Sequence, residues 1–148
     1  MTAASLAFAD IQVGMAIPEL ACRPTNLNLF QFAAVTWQSH RIHYDKDYAV
    51  EEGYSDVVLQ ASLHGAYLGR LLTEWAHPNG RILELEWTNR RYATVGETLT
   101  FRGVVIERYE RAGQGIVVCE LTEENTSGEV ITPARATLVF DRPAAGAG

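Results

Sequence analysis

The spacing of apolar residues changes once along the chain, close to residue 80. Before that point, residues 57–75 carry apolar side chains three or four positions apart, which is the spacing of a helix with one buried face. Four of them form a single stripe: Leu59, Leu63, Tyr67 and Leu71. The sequence His-Pro-Asn-Gly that follows cannot continue a helix. We therefore predict a helix over residues 61–75.

After residue 80 the pattern alternates with a period of two and is rich in β-branched residues, which is typical of strands. Short turn sequences, VGE, RAGQG and SGE, separate the later segments. The predicted strands are residues 82–87, 98–108, 115–125 and 131–141, with a further short strand at 13–17. One long helix followed by antiparallel strands predicts an α+β fold, with a sheet of about five strands around the helix.

The remaining segments complete the predicted organisation as one domain over residues 1–148. Residues 27–35, LNLFQFAAV, are apolar enough for a short buried element, and their place before a polar loop favours a helix. Gly65 and Gly69 are four residues apart in the long helix, which would let another backbone approach closely. Residues 141–148 are small and predict a flexible tail.

Composition narrows the classes of function. A net charge of −6 argues against nucleic acid binding, which needs clustered Lys and Arg. No apolar run approaches the roughly 20 residues of a membrane span, and the first ten residues lack the basic start of a signal peptide. Cys22 and Cys119 are far apart among apolar neighbours, which favours buried free thiols. These features together predict a cytoplasmic protein that binds neither nucleic acid nor membrane.

The segment TWQSHRIHYD, residues 36–45, contains the most unusual chemistry of the chain. His40 and His43 are three residues apart, but no further ligand accompanies them, so we expect no metal site. On residue type alone, a histidine among aromatic residues is more often a hydrogen-bonded structural group than a catalyst. We expect Asp45 to cap or anchor the loop. Four other residues are expected at the helix surface or an interface (His64, His77) or in the core (Tyr67, Trp75).

The order of residues in this region resembles a known family. Residues 32–65 resemble the MaoC-like (R)-specific enoyl-CoA hydratases and 3-hydroxyacyl-thioester dehydratases of the hot-dog superfamily, whose signature is Ser-Gly-Asp-x-Asn-Pro-Ile-His-x-Asp. The wording HRIHYD is closest to the branch that contains the mesaconyl-CoA hydratases. The matching positions are Thr36, Ile42, His43, Asp45, Tyr48, Ala49, Gly53 and Tyr54.

The resemblance implies a hot-dog fold and assigns site residues. It makes His43 the general base and places Gln38 where the family has its catalytic Asp. His40 takes the position of the family's Asn. We expect it to brace the loop, and it is also a candidate for substrate contact. The N–H groups near Ala61 and Ser62, at the start of the long helix, would polarise the thioester carbonyl. Arg90 and Arg91 are candidates for binding the phosphates of coenzyme A. A solvated strand face explains the two arginines equally well.

Three functions remain open from the sequence. The first is an acyl-CoA hydratase or 3-hydroxyacyl-CoA dehydratase that uses coenzyme A thioesters as substrates and needs no cofactor. The second is a hot-dog thioesterase, which usually places a carboxylate on the central helix, where this chain has only Glu74. The third is a non-catalytic half-site subunit of a heteromeric hydratase. Gln38 supports this function, because it stands where the family has its catalytic Asp. In each case we expect a homodimer or a heteromer with a related hot-dog subunit.

Overall fold

The fold is a single antiparallel sheet packed against one long helix. A computed structural model describes residues 6–141. Its strands are β1 Ala16–Cys22, β2 Gly80–Trp87, β3 Leu99–Arg111, β4 Gln114–Glu124 and β5 Val130–Phe140. Their order in the sheet is β1-β3-β4-β5-β2, and all neighbouring pairs are antiparallel. The predicted α+β class and the predicted five-stranded sheet are confirmed.

Three α-helices accompany the sheet in the described part of the chain. They are α1 Asn26–Thr36, α2 Lys46–Glu51 and α3 Ala61–Ala76. Helix α3 confirms the helix predicted over residues 61–75, and its face of large aliphatic side chains packs into the core formed with the sheet. The fully enclosed members of that face are Leu68 and Leu72, each 0% exposed. Leu59, which the predicted stripe included, is buried but precedes the helix.

Two predicted elements differ from those observed. The strand expected at 13–17 is β1, which begins at Ala16 and continues to Cys22, because its backbone pairs with β3 over that length. Gly14 has a φ of +88°, which is a turn conformation, so the strand begins only after this residue. The predicted helix over residues 27–35 is α1, but it is not buried as a whole. Leu27, Phe30 and Val35 are exposed, since α1 covers the core with only one face.

The glycine pair of α3 has a different role from the predicted one. A side chain at Gly65 would overlap the ring of Trp87, whose nearest atom would lie 2.4 Å from the added Cβ. The close neighbour is therefore an aromatic side chain of β2 and not another backbone. Gly69 is less constrained, with Leu85 at 3.9 Å.

The cysteines and the chain end agree only partly with expectation. Cys119 is buried and Cys22 half-buried, and both are free thiols. Burial raises the pKa of the Cys119 thiol to about 12, which keeps it protonated and unreactive. The predicted tail, residues 141–148, lies outside the described residues except for Asp141. Among residues 6–141, no helix is both long and apolar enough to cross a membrane.

Candidate active site

A cleft of about 490 Å³ brings most of the predicted site residues together. It opens between the loop after α1, the first turn of α3 and the segment that follows β2. Its polar lining consists of Gln38, His43, His64, Asn89, Arg90, Arg91 and Tyr92, and Ala61 borders it at the start of α3. Five residues proposed from sequence therefore share one cavity although they are up to 53 positions apart in the chain (Gln38 to Arg91).

His43 is held in one orientation by the backbone. It ends a short 3-10 turn, Arg41–His43, and its Nδ1 lies 2.7 Å from the carbonyl oxygen of Val58. A carbonyl only accepts, so Nδ1 carries the proton and Nε2 keeps its lone pair. The N–H of Val58 donates to the Ile42 carbonyl at 2.9 Å, which ties the same two segments a second time. His43 is thus a preorganised proton acceptor on the cleft wall.

The environment of His43 favours its neutral form. Burial lowers the pKa of the imidazole, the nearby His40 ring lowers it further, and the hydrogen bond to Val58 opposes both effects. A base must be neutral before it can take a proton. Because the pKa is lowered, His43 stays competent at a pH where an ordinary histidine, with a pKa of about 6.5, is already half protonated.

This shift gives a prediction for the pH profile. If His43 is the base that activates water, kcat/KM for hydration of an enoyl-CoA should be constant through neutral pH. It should fall only below about pH 6.5, the ordinary imidazole value. The measurement is kcat/KM from pH 4.5 to 8.5 with the His40→Ala variant beside the wild type. Loss of His40 should move the acidic limb to higher pH, and an acidic limb above neutral pH in the wild type would contradict the assignment.

Gln38 is fixed next to the start of α3. Its amide Nε2 donates to the hydroxyl oxygen of Ser62 at 2.6 Å, and its side chain borders the same cleft as His43. The amide oxygen can still accept a hydrogen bond from a water molecule. A glutamine has no titratable proton near neutral pH, so Gln38 can orient a water but cannot act as base or acid.

The first turn of α3 has free donors. Its N-cap, Gln60, makes no side-chain capping bond, so the N–H groups at Ala61 and Ser62 lack a side-chain acceptor. The carbonyl oxygen of Ala61 ties this turn to the end of β2 and the segment after it. It accepts hydrogen bonds from Trp87 Nε1 at 3.3 Å and from Asn89 Nδ2 at 3.1 Å. The N–H of Ala61, which borders the cleft, and the positive end of the 16-residue helix favour an anionic oxygen there.

The two arginines lie at the open side of the cleft. Arg91 makes an ion pair with Glu129 at 2.7 Å, and both side chains remain largely exposed. The backbone N–H of Arg90 donates to the Ile131 carbonyl at 2.9 Å, which anchors the segment to β5. Both guanidinium groups are placed where an anionic part of a ligand could reach them.

His40 and Ser62 do not border the cleft. His40 Nδ1 accepts from the N–H of Ile42 at 3.4 Å, and its ring packs 6.3 Å from the His43 ring and 6.0 Å from that of Tyr48. His40 therefore braces the loop, as one expectation had it. Asp45 is the N-cap of α2, where it accepts from the N–H of Tyr48 at 3.1 Å.

His64 was expected at the helix surface or at an interface, and that expectation was wrong. It is 2% exposed and its Nδ1 lies 2.7 and 2.8 Å from the two carboxylate oxygens of Glu123. The cause is its position on α3, because His64 shares the face of Leu68 and Leu71 that packs on the sheet. Asn89 and Tyr92 also line the cleft but were not proposed from sequence.

Other features of the described residues offer less chemistry. A larger hollow of about 820 Å³ lies over β2, β4 and β5, but it has no histidine in its lining. Within residues 6–141 no group of three or more His, Cys, Asp and Glu could hold a metal ion. Glu74, the one acidic residue of α3, is exposed and paired with Arg70 at 2.7 Å, which leaves the thioesterase alternative without a carboxylate from α3 in the cleft.

Comparison with known proteins assigns the chain to a family. A family model for hydroxyacyl-thioester dehydratase type 2 matches residues 14–95, more than half of the chain. The chain belongs to this family. The match spans β1, α1, the loop with Gln38 and His43, all of α3 and β2, so it contains every residue that lines the cleft. The family is one of hydratases and dehydratases of acyl thioesters, which confirms the resemblance found in the sequence.

Two relatives and one solved structure agree with this membership. The chain is 27% identical over 126 residues, 81% of its length and 90% of the relative's, to the beta subunit of 3-oxo-4,17-pregnadiene-20-carboxyl-CoA hydratase of Mycobacterium tuberculosis. Mesaconyl-C(4)-CoA hydratase of Chloroflexus aurantiacus is 49% identical over 49 residues, 32% of this chain and 16% of that protein. The R-hydratase PhaJ1 of Pseudomonas aeruginosa superposes with a TM-score of 0.83 and 18% identity, covering 94% and 88% of the chains, and confirms the hot-dog fold.

Proposed function

We propose that this member of the hydroxyacyl-thioester dehydratase type 2 family adds water to an enoyl-CoA, or removes it from a 3-hydroxyacyl-CoA, with His43 as the base. One observation carries the proposal. The Val58 carbonyl fixes the proton on Nδ1 of His43, so that Nε2 is free to accept a proton on the wall of the cleft. The reaction needs no bound cofactor or metal, since coenzyme A enters as part of the substrate.

In the proposed hydration, three groups act on the substrate. Gln38 orients a water through its amide, His43 Nε2 takes a proton from that water, and the oxygen adds to the β-carbon. Negative charge develops on the thioester oxygen. The N–H of Ala61, which borders the cleft at the start of α3, is proposed to receive it, because a preorganised donor at a helix start stabilises an anion without reorganising.

The coenzyme A handle is assigned to the arginine side of the cleft. Arg90 and Arg91 are proposed to bind its phosphates, because guanidinium groups make paired hydrogen bonds to phosphate oxygens. Arg91 would exchange its exposed ion pair with Glu129 for such a contact. This exchange costs little, since an exposed ion pair contributes only about 0–1 kcal/mol.

A second candidate is favoured by two observations. Gln38 cannot transfer a proton, and a relative that this chain matches over 90% of its length is named a beta subunit. The chain would then be the half-site partner of a second hot-dog subunit that supplies an acidic residue. In either case we propose a dimer, because β1 and β2 are open edges of the sheet, and Phe30 of α1 and Trp37 directly after it are exposed.

Substitution of Gln38 separates these two candidates. If the chain works alone, Gln38→Asp should keep or raise turnover of an enoyl-CoA, because it restores a second proton acceptor beside the water. Gln38→Ala should lower turnover by about tenfold through loss of one hydrogen bond to that water. The assay follows the disappearance of the conjugated enoyl thioester. Light scattering measures the mass of the protein in solution and shows whether it is a monomer or an oligomer. If neither change matters, and activity appears only on mixing with a second subunit, the half-site candidate is correct.

A further inference from the structure

We propose that His64 and Glu123 form a second proton-transfer pair of the cleft. His64 exchanges a proton with the α-carbon of the substrate, and Glu123 is the positioning residue that holds its ring. The inference rests on the proposed function and deepens it. It assigns a donor for the proton that the α-carbon receives. Gln38 cannot supply this proton, although the family signature has an acid at its position.

The pair is unusual for its burial. Glu123 is 0% exposed and His64 is 2% exposed, and no other buried residue within 6–141 has a side chain that is charged near neutral pH in water. Both carboxylate oxygens are within 2.8 Å of Nδ1. A buried ion pair is a poor source of stability, because desolvation of both charges opposes their attraction, and apolar residues of similar size often serve as well. A function beyond packing accounts for its presence.

One ring nitrogen of His64 remains available to a ligand. Nδ1 is engaged by Glu123, whereas Nε2 makes no hydrogen bond to a described residue. The side chain borders the cleft that also holds His43 and Gln38. His64 retains 2% exposure and is one of the residues that line the cleft, so the ring nitrogen that Glu123 does not engage is the one we assign to the substrate.

The chemistry of the pair balances in the hydration direction. In the proposed starting state Glu123 is a carboxylate and His64 an imidazolium, so the pair is neutral overall and Nε2 carries a hydrogen that it can donate. His43 Nε2 takes a proton from water, and the water oxygen bonds to the β-carbon. The π electrons of the double bond then pass into the thioester enolate. The Nε2–H bond of His64 breaks as the α-carbon takes that proton.

The products of this step restore the starting state without another reactant. His43 is now imidazolium, and His64 is neutral with Nδ1–H still donated to Glu123. A proton returns from His43 to His64 through water in the open cleft, and one water has been added to one enoyl thioester. In the dehydration direction the roles reverse: His64 Nε2 takes the α-proton, and His43 protonates the leaving hydroxyl.

The test removes the pair without leaving a lone buried charge. The double variant His64→Leu/Glu123→Met replaces it with apolar side chains and should fold, because both charges leave together. We expect kcat on the enoyl-CoA to fall on the order of 10²- to 10⁴-fold, the range for one general acid or base, with KM unchanged. The matched control is His77→Leu, an exposed histidine at the end of the same helix, which should keep full activity.

A second variant keeps the test decisive if the double variant does not fold. Glu123→Gln preserves the size of the side chain and an acceptor for Nδ1–H but removes the charge that favours the imidazolium. It should lower kcat with KM unchanged, whereas a purely structural role would lower the melting temperature and leave kcat alone. An active wild type whose folded variants keep their kcat would overturn the pair and leave His43 as proposed. If the wild-type chain shows no activity on an enoyl-CoA, either alone or mixed with a second hot-dog subunit, the proposed function is overturned, and the pair with it.

Discussion

The variant His43→Ala should lower kcat on the enoyl-CoA substrate by on the order of 10²- to 10⁴-fold, the usual loss when general-base help is removed. Water at neutral pH is a weak nucleophile, and the Nδ1 bond to Val58 holds the lone pair of His43 Nε2 in one orientation on the cleft wall. Binding of coenzyme A should be unaffected. Steady-state kinetics with parallel thermal melts of both proteins make the comparison.

His43 is half-buried and its loss opens little core, so the melting temperature should change far less than the rate. His77→Ala, which removes an exposed imidazole at the far end of α3, is the matched control and should behave as wild type. If turnover of His43→Ala equals that of the control, His43 is a structural residue that holds the loop to Val58.

The second large effect concerns the helix that carries the cleft. Leu68 is 0% exposed in the middle of α3, where it packs against the sheet. Leu68→Ala should reduce the free energy of unfolding by about 2–5 kcal/mol, because it loses buried apolar area and leaves a cavity. Urea unfolding at one fixed protein concentration measures it. The control Val50→Ala, on the exposed side of α2, should change the same quantity by about 0.5 kcal/mol or less. A loss at Leu68 no larger than at Val50 would contradict the assignment of α3 to the core.

The parts of the fold that are local in sequence could be predicted, and those that depend on distant partners could not. The spacing of Leu63, Tyr67 and Leu71 and the alternation of the later strands are visible within a short window, and both gave elements with nearly the observed bounds. Strand β1, AIPELAC, has no clear alternation and contains a proline. It is a strand because its backbone pairs with β3, more than 70 residues away in the sequence.

The site divides in the same way. His43 could be found because several residues around it match a family signature in order, and the structure places it with Gln38 and Ala61 on one cleft. His64 was assigned to the surface because it was considered alone. Two local patterns contained the signal for its burial. It is four residues before Leu68 on the helix, and Glu123 is two residues after Leu121, on the same buried face of β4. Which helix residue meets which strand residue is set by the packing of α3 on the sheet, which the sequence pattern does not contain.

Addition of water to an enoyl-CoA through His43 is the reaction proposed for this chain. The most direct measurement incubates the purified chain, its mass known from light scattering, with a panel of enoyl-CoAs in ¹⁸O-labelled water and analyses the products. We expect the wild type to form 3-hydroxyacyl-CoA that carries the label at the β-carbon, and His43→Ala to form far less of this product. A wild type that labels no member of the panel, and whose Gln38→Asp form is equally inert, would contradict it.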